Sequence, residues 1–221
     1  MDNKNNKKTI ATSRLETYFF LDWDNTIYPS SFCNKNSINV KKNNDFENYK
    51  LFFIELDKTI YNILEKLNSI GIIYIITNAS LTWVRQCISV LKNTKKFIMV
   101  NKIRIISARD IYFKITTDPL QWKIKTFQNV IDIIMKNNNN NNILNIISIG
   151  DSTFEYDSLL NLDDFLQKKY NNNNYLLKSI KFIDEPSFEE IIDQLNVLFK
   201  NIENISNEFD YVDIKFDINK K

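Results

Sequence analysis

Asp22 and Asp24 close the apolar stretch FFLDWDNTIY, with Trp23 between them and Asn25 and Thr26 after them. Two carboxylates this close destabilise each other unless a cation or a shared proton offsets their charge. Three further points in the chain carry groups that suit such a partnership. The apolar run IIYIIT ends in Thr77, followed by Asn78. The run ILNIISIGD ends in Gly150 and Asp151, with Glu155 four residues further on. Between these two runs, a helix expected to start at Asp118-Pro119 carries Lys123 in its first turns. Carboxylates, a hydroxyl and an amine gathered in one crevice fit a phosphate group and Mg²⁺. Magnesium takes hard oxygen ligands and few protein carboxylates, while a threonine hydroxyl and a lysine ammonium hold phosphate oxygens.

Histidine is absent from all 221 residues. That removes the serine–histidine triad, histidine-ligated zinc and the imidazole general base together. Acid–base chemistry then falls to carboxylates, lysine or tyrosine. Cys33 and Cys87 belong to no C-x-x-C pair and read as reduced thiols. The net charge of +2, with scattered lysines, predicts no nucleic-acid partner. No apolar run reaches the roughly 20 residues of a membrane span. The polar first residues lack a signal-peptide core. The expectation is a cytoplasmic protein without a membrane partner, its oligomeric state left open.

The elements that must position these groups alternate in type. Strands are expected at Tyr18–Leu21, Ile72–Thr77, from Ile103 (IRIIS), at Ile143–Ile149 and at Tyr175–Ile183. Amphipathic helices are expected over Leu51–Ser69, from about Leu81 to Lys92, from Asp118-Pro119 to about Lys136, over 153–168, and from a Ser187/Glu190 capping box to about Ile202. Phe97–Val100 closes the second helix or forms a short strand. FDYVDIKFD reads as an edge strand or a tail. Pro29–Asn48 reads as irregular, and the asparagine runs 137–142 and 171–174 as surface loops. Gly71 and Gly150 are the two glycines, and special backbone conformations are expected at both. Strands that are apolar on both faces imply a parallel sheet covered on both sides. Such sheets bind ligands beyond the carboxyl ends of their strands.

The order of these features resembles the haloacid dehalogenase (HAD) superfamily of phosphotransferases. DWDNT at Asp22 is similar to that family's DxDxT motif, and IIYIITN to its second motif. Lys123 resembles its motif III lysine, and IGDSTFE its GDxxxD motif with Glu155 in place of the last aspartate. The resemblance implies a Rossmann-like three-layer sandwich with a mainly parallel sheet over residues 15–204. A polar disordered tail over 1–14 and an extension or edge strand over 205–221 flank it. It implies a Mg²⁺-dependent phosphohydrolase with Asp22 as nucleophile and Asp24 as acid and base. Thr77, Asn78 and Lys123 would bind phosphate; Asp22, Asp24 (through its backbone carbonyl) and Asp151 would hold the metal. Glu155 would lie at the metal or behind it. A catalytically weak binding module and a phosphomutase are the alternatives. The stretches after Asp24 and after Lys123 leave little room for the cap domain of that family. A minimal cap implies an open site and a phosphorylated substrate that includes macromolecules.

Individual residues sort by helical phase. Lys123 and Lys125 lie about 200° apart on a helix. Lys123 shares its face with Leu120, Phe127, Val130 and Ile134, so it is expected to point to the sheet, and Lys125 to solvent. Trp83 and Trp122 read as core. Arg85 reads as a surface charge and Arg109 as a weaker candidate for substrate contact. Trp23 either packs or faces the substrate.

Overall fold

The computed structural model of the chain describes residues 14–38, 47–137, 142–171 and 174–217. The expected disordered tail, except Arg14, residues 138–141 of the first asparagine run and 172–173 of the second lie outside these residues. Strand β1 (Leu15–Leu21) alternates its side chains between two apolar layers. Phe19 and Leu21 enter one layer, Tyr18 and Phe20 the other. Both faces of a strand are buried this way only when helices cover both sides of the sheet. After β1 come α1 (Ser30–Lys35), α2 (Lys50–Ile70), β2 (Ile72–Thr77), α3 (Leu81–Val90), α4 (Lys92–Val100) and β3 (Arg104–Ser107). Then follow α5 (Ala108–Tyr112), α6 (Pro119–Asn137), β4 (Ile143–Gly150), α7 (Thr153–Tyr170), β5 (Tyr175–Lys181), α8 (Phe188–Asn207) and β6 (Val212–Lys215).

The strands form one sheet in the order β3-β2-β1-β4-β5-β6, and every pairing is parallel. The protein is an α/β, Rossmann-like three-layer sandwich. Helices α2, α3 and α8 bury Phe53, Leu56, Val84, Cys87, Leu195 and Leu198 in one layer. Helices α6 and α7 bury Phe127, Ile131, Leu159 and Leu162 in the other. Each fully buried side chain of this size contributes about 1.5–3 kcal/mol. The strand order reverses beside β1, between β2 and β4, which is where a sheet of this kind opens a crevice at its carboxyl edge. Among the described residues no helix is long and apolar enough to cross a membrane.

Several elements differ from the expectation. Of the two alternatives for 97–100 the helical one holds, not as the end of α3 but in a separate helix, α4. Its amino end is fixed by the buried Asp57 of α2, whose carboxylate accepts from Asn93 N and Thr94 N, both at 2.8 Å. A carboxylate there satisfies orphan N–H groups and complements the helix dipole. Helix α3 stops at Val90 for the same junction. Ser30–Lys35, expected to be irregular, forms the short α1. Neither glycine adopts a left-handed conformation. Both are required by close approach instead: a Cβ on Gly71 would lie 2.3 Å from Thr17 O. The capping box at Ser187 and Glu190 is present, and α8 runs five residues past Ile202. β6 is a parallel edge strand on β5.

Candidate functional site

Asp22 is placed by the last rung of β1. Leu21 pairs with Ile75 of β2 and Ile149 of β4, and Asp22 N donates to Ile149 O at 2.9 Å. The carboxylate therefore leaves the sheet at its centre, and it is buried. The next turn is tight. Ile27 N and Tyr28 N both donate to Trp23 O, and Asn25 sits at φ 55°, a conformation asparagine tolerates better than most residues. The Asn25 side chain locks the turn to α1: Ser31 N donates to its Oδ1 at 2.9 Å, and its Nδ2 donates to Ser31 Oγ at 3.0 Å.

Lys123 reaches the same point from α6. Asp118 starts that helix as expected, its Oδ1 accepting from Leu120 N at 2.9 Å. The lysine is 1% exposed. Its ammonium donates to Asp22 Oδ1 at 2.5 Å and to Ile76 O at 2.9 Å, and it pairs with Glu155 Oε1 at 2.6 Å. Three donors meet three acceptors, so the buried charge is satisfied. Burial pushes this ammonium down, but the Asp22 and Glu155 carboxylates outweigh it and hold it up, protonated.

Glu155 is delivered by the first turn of α7. Its Oε2 accepts from Ser152 Oγ at 2.7 Å and from Ser152 N at 3.3 Å, while Phe154 N donates to Ser152 Oγ at 3.1 Å. Both carboxylate oxygens of Glu155 are thus engaged within the protein, one of them bracing Lys123. Gly150 makes the room: a Cβ there would lie 2.2 Å from Glu155 Cγ.

Asp24 is held by its Oδ1, which accepts from Ser30 Oγ and from Trp83 Nε1, the latter at 2.9 Å. Trp83, expected in the core, packs against one apolar layer and with its Nε1 also reaches the site. Its ring meets Tyr28 edge-on at 6.2 Å, and Tyr28 stacks on Trp23 at 6.1 Å. Trp23 is fully buried and packs. Thr77 is buried, and its Oγ1 accepts from Ala79 N at 3.0 Å, which leaves the hydroxyl hydrogen free to donate elsewhere. Asn78, expected to bind phosphate, donates its amide to Pro119 O at 3.1 Å and so ties the β2 tip to α6. Thr26 Oγ1 donates to Asp151 Oδ1 over a long 3.4 Å.

Asp22, Asp24, Thr77, Asn78, Lys123, Asp151 and Glu155 all line one crevice of about 490 Å³. Arg109 and Trp122 line it as well, Trp122 in place of the core position expected for it. Arg85 is exposed on α3 and is not among the lining residues. Sequence phase alone could not place the two tryptophans, because it assigns a helix face without saying which strand tip lies above it.

The electrostatics are lopsided. Four carboxylates share the crevice with two cations, one of them already paired twice. Burial raises the Asp22 carboxyl well above its ordinary range, Lys123 lowers it, and Glu155, Asp151 and Asp24 add to the rise. Burial and the charge of Glu155 push Asp151 up to about 7. Among the described residues no three acidic or thiol side chains are grouped as a ready-made metal cage. A Mg²⁺ ion needs only one or two protein carboxylates, and the surplus negative charge and hard-oxygen donors fit that ion. No family model matches the chain, and neither a curated protein nor a solved structure matches it.

Proposed function

We propose that this chain is a Mg²⁺-dependent phosphohydrolase of the HAD type that works through an aspartyl-phosphate on Asp22. The observation that carries the reading is the buried Lys123, which joins the tips of β1, β2 and α7 in one hydrogen-bonded knot beneath an open crevice. A lysine so fixed presents positive charge where the equatorial oxygens of a transferring phosphoryl group need it.

Each residue then has a distinct task. An Asp22 oxygen forms a bond to phosphorus as the ester P–O bond breaks. Asp24 gives a proton to the leaving oxygen and later takes one from the water that attacks phosphorus. That second step releases inorganic phosphate and regenerates Asp22. Thr77 and Lys123 hold the phosphoryl oxygens. Asn78 and Glu155 steady Thr77's strand tip and Lys123 respectively. Asp22, Asp151 and the Asp24 backbone carbonyl would hold Mg²⁺, which when bound supplies charge neutralisation to the phosphate. The short length of sequence between β1 and α2 supports a minimal cap and an open site.

The test is Mg²⁺-dependent release of nitrophenol from 4-nitrophenyl phosphate. Wild type turns over, chelation stops it, and Asp22→Asn abolishes it. Turnover that survives Asp22→Asn would remove the nucleophile assignment; no turnover by wild type would favour a binding module.

A further inference from the structure

Above its charged floor the crevice changes character. Phe113 follows α5, Trp122 belongs to the first turns of α6, and Phe154 to the first turn of α7. All three line the crevice, and none is buried; Phe113 is 48% exposed. Among the described residues these rings make no ring–ring contact with one another. The Trp122 ring is held in place by its Nε1, which donates to Thr116 O at 2.7 Å. Neither apolar layer includes this pre-placed indole or the two phenyl rings, which border the polar floor of the crevice. Exposed aromatic area beside a concave polar centre marks a surface that gains by covering.

We propose that these rings form a slot for a flat aromatic ring carried on the alcohol side of the ester, so that the preferred ligand class is a phosphate monoester that bears an aromatic body. This rests on the phosphohydrolase reading for the floor, but concerns a different set of residues. Aromatic pairs gain free energy beyond the area they bury, an increment that an aliphatic group does not receive. Aryl phosphates, phosphotyrosine side chains and nucleoside monophosphates share this chemistry.

Phosphonates test the slot without turnover, because their P–C bond does not hydrolyse. Binding of benzylphosphonate and ethylphosphonate to the full chain is measured by calorimetry in Mg²⁺ buffer. The expected result is tighter binding of benzylphosphonate by roughly tenfold, the equivalent of ~1.4 kcal/mol. Phe113→Ala, a change at a half-exposed surface position, lowers the benzyl affinity about fivefold, in line with a lost ring contact, and leaves the ethyl affinity unchanged. Equal affinity for the two probes, equal weakening of both by Phe113→Ala, or no binding of either overturns the slot. The two readings fail separately. Selective benzyl binding without hydrolysis of 4-nitrophenyl phosphate keeps the slot and removes the hydrolase. Hydrolysis without selectivity does the reverse. Comparing free phosphotyrosine, a phosphotyrosine peptide and uridine monophosphate then separates the sources of the aromatic body; a preference for phosphoserine or glycerol phosphate over all three also overturns the slot.

Discussion

Replacing Lys123 by methionine keeps the length of the side chain and removes its charge. The ammonium satisfies Asp22 Oδ1 at 2.5 Å, Glu155 Oε1 at 2.6 Å and Ile76 O at 2.9 Å, all within the protein. Lys123→Met therefore strands two buried carboxylates and a strand-end carbonyl. Breaking a buried pair from one side costs about 3–5 kcal/mol. For a chain of this length each kcal/mol lowers Tm by ~2–4 °C, so a fall of ~10 °C is expected. Urea unfolding of wild type, Lys123→Met, Glu155→Gln and the double variant gives the coupling, expected at about 1–3 kcal/mol. The pH dependence has a definite sign. Burial already raises the Asp22 carboxyl, and Lys123 is the neighbour that lowers it. Without the lysine Asp22 protonates more readily, so the deficit of the variant shrinks as pH falls and grows as pH rises. A deficit under ~1 kcal/mol, typical of an exposed pair, or a deficit that does not vary with pH, would refute the reasoning.

Other substitutions probe separate parts of the site. Trp83→Phe keeps the edge-on contact with Tyr28 but removes the N–H that holds Asp24 Oδ1. It is expected to lower kcat about tenfold on alkyl phosphates, a fraction of what general acid catalysis contributes, with little change on nitrophenyl esters, whose leaving group needs no proton; steady-state kinetics on both esters checks it. Gly150→Ala puts a Cβ 2.2 Å from Glu155 Cγ, so Glu155 must swing away from Lys123, lowering stability by about 1–3 kcal/mol in urea titration. The metal-free protein is expected to lose stability as pH rises from the unfolded carboxylate value near 4 to about 7, because the folded state holds a proton on Asp151 that the unfolded state has already released. Mg²⁺ restores stability above that range, a thermal-melt series that reads both effects.

The sheet was legible in the sequence because its strands are apolar on both faces and end in polar residues at the same edge. Lys123 was legible for a similar reason: Phe127, Val130 and Ile134 fix its helix face, and Lys125 falls on the opposite one. The long side chain then bridges to β1, which is a consequence of helix phase and reach. What escaped depends on contacts between elements distant in sequence. Phe97–Val100 is helical because Asp57, far away on α2, caps it. Trp83 meets Asp24 across the carboxyl edge of the sheet, and no local pattern encodes that meeting. The glycines signalled a constraint correctly, but its nature was close packing rather than backbone conformation. Glu155 departs from an aspartate by one methylene, and its role became readable only once Gly150 and Ser152 were seen to seat it against Lys123.

The central claim is a phosphoryl group carried on Asp22. Wild type mixed with 4-nitrophenyl phosphate and Mg²⁺, quenched in acid and reduced with borohydride, would convert an aspartyl-phosphate to homoserine. Peptide mass mapping is expected to show that change at residue 22, only with Mg²⁺ and substrate present. Sustained turnover with residue 22 unmodified, or with the label on Asp24 or Asp151, would contradict it.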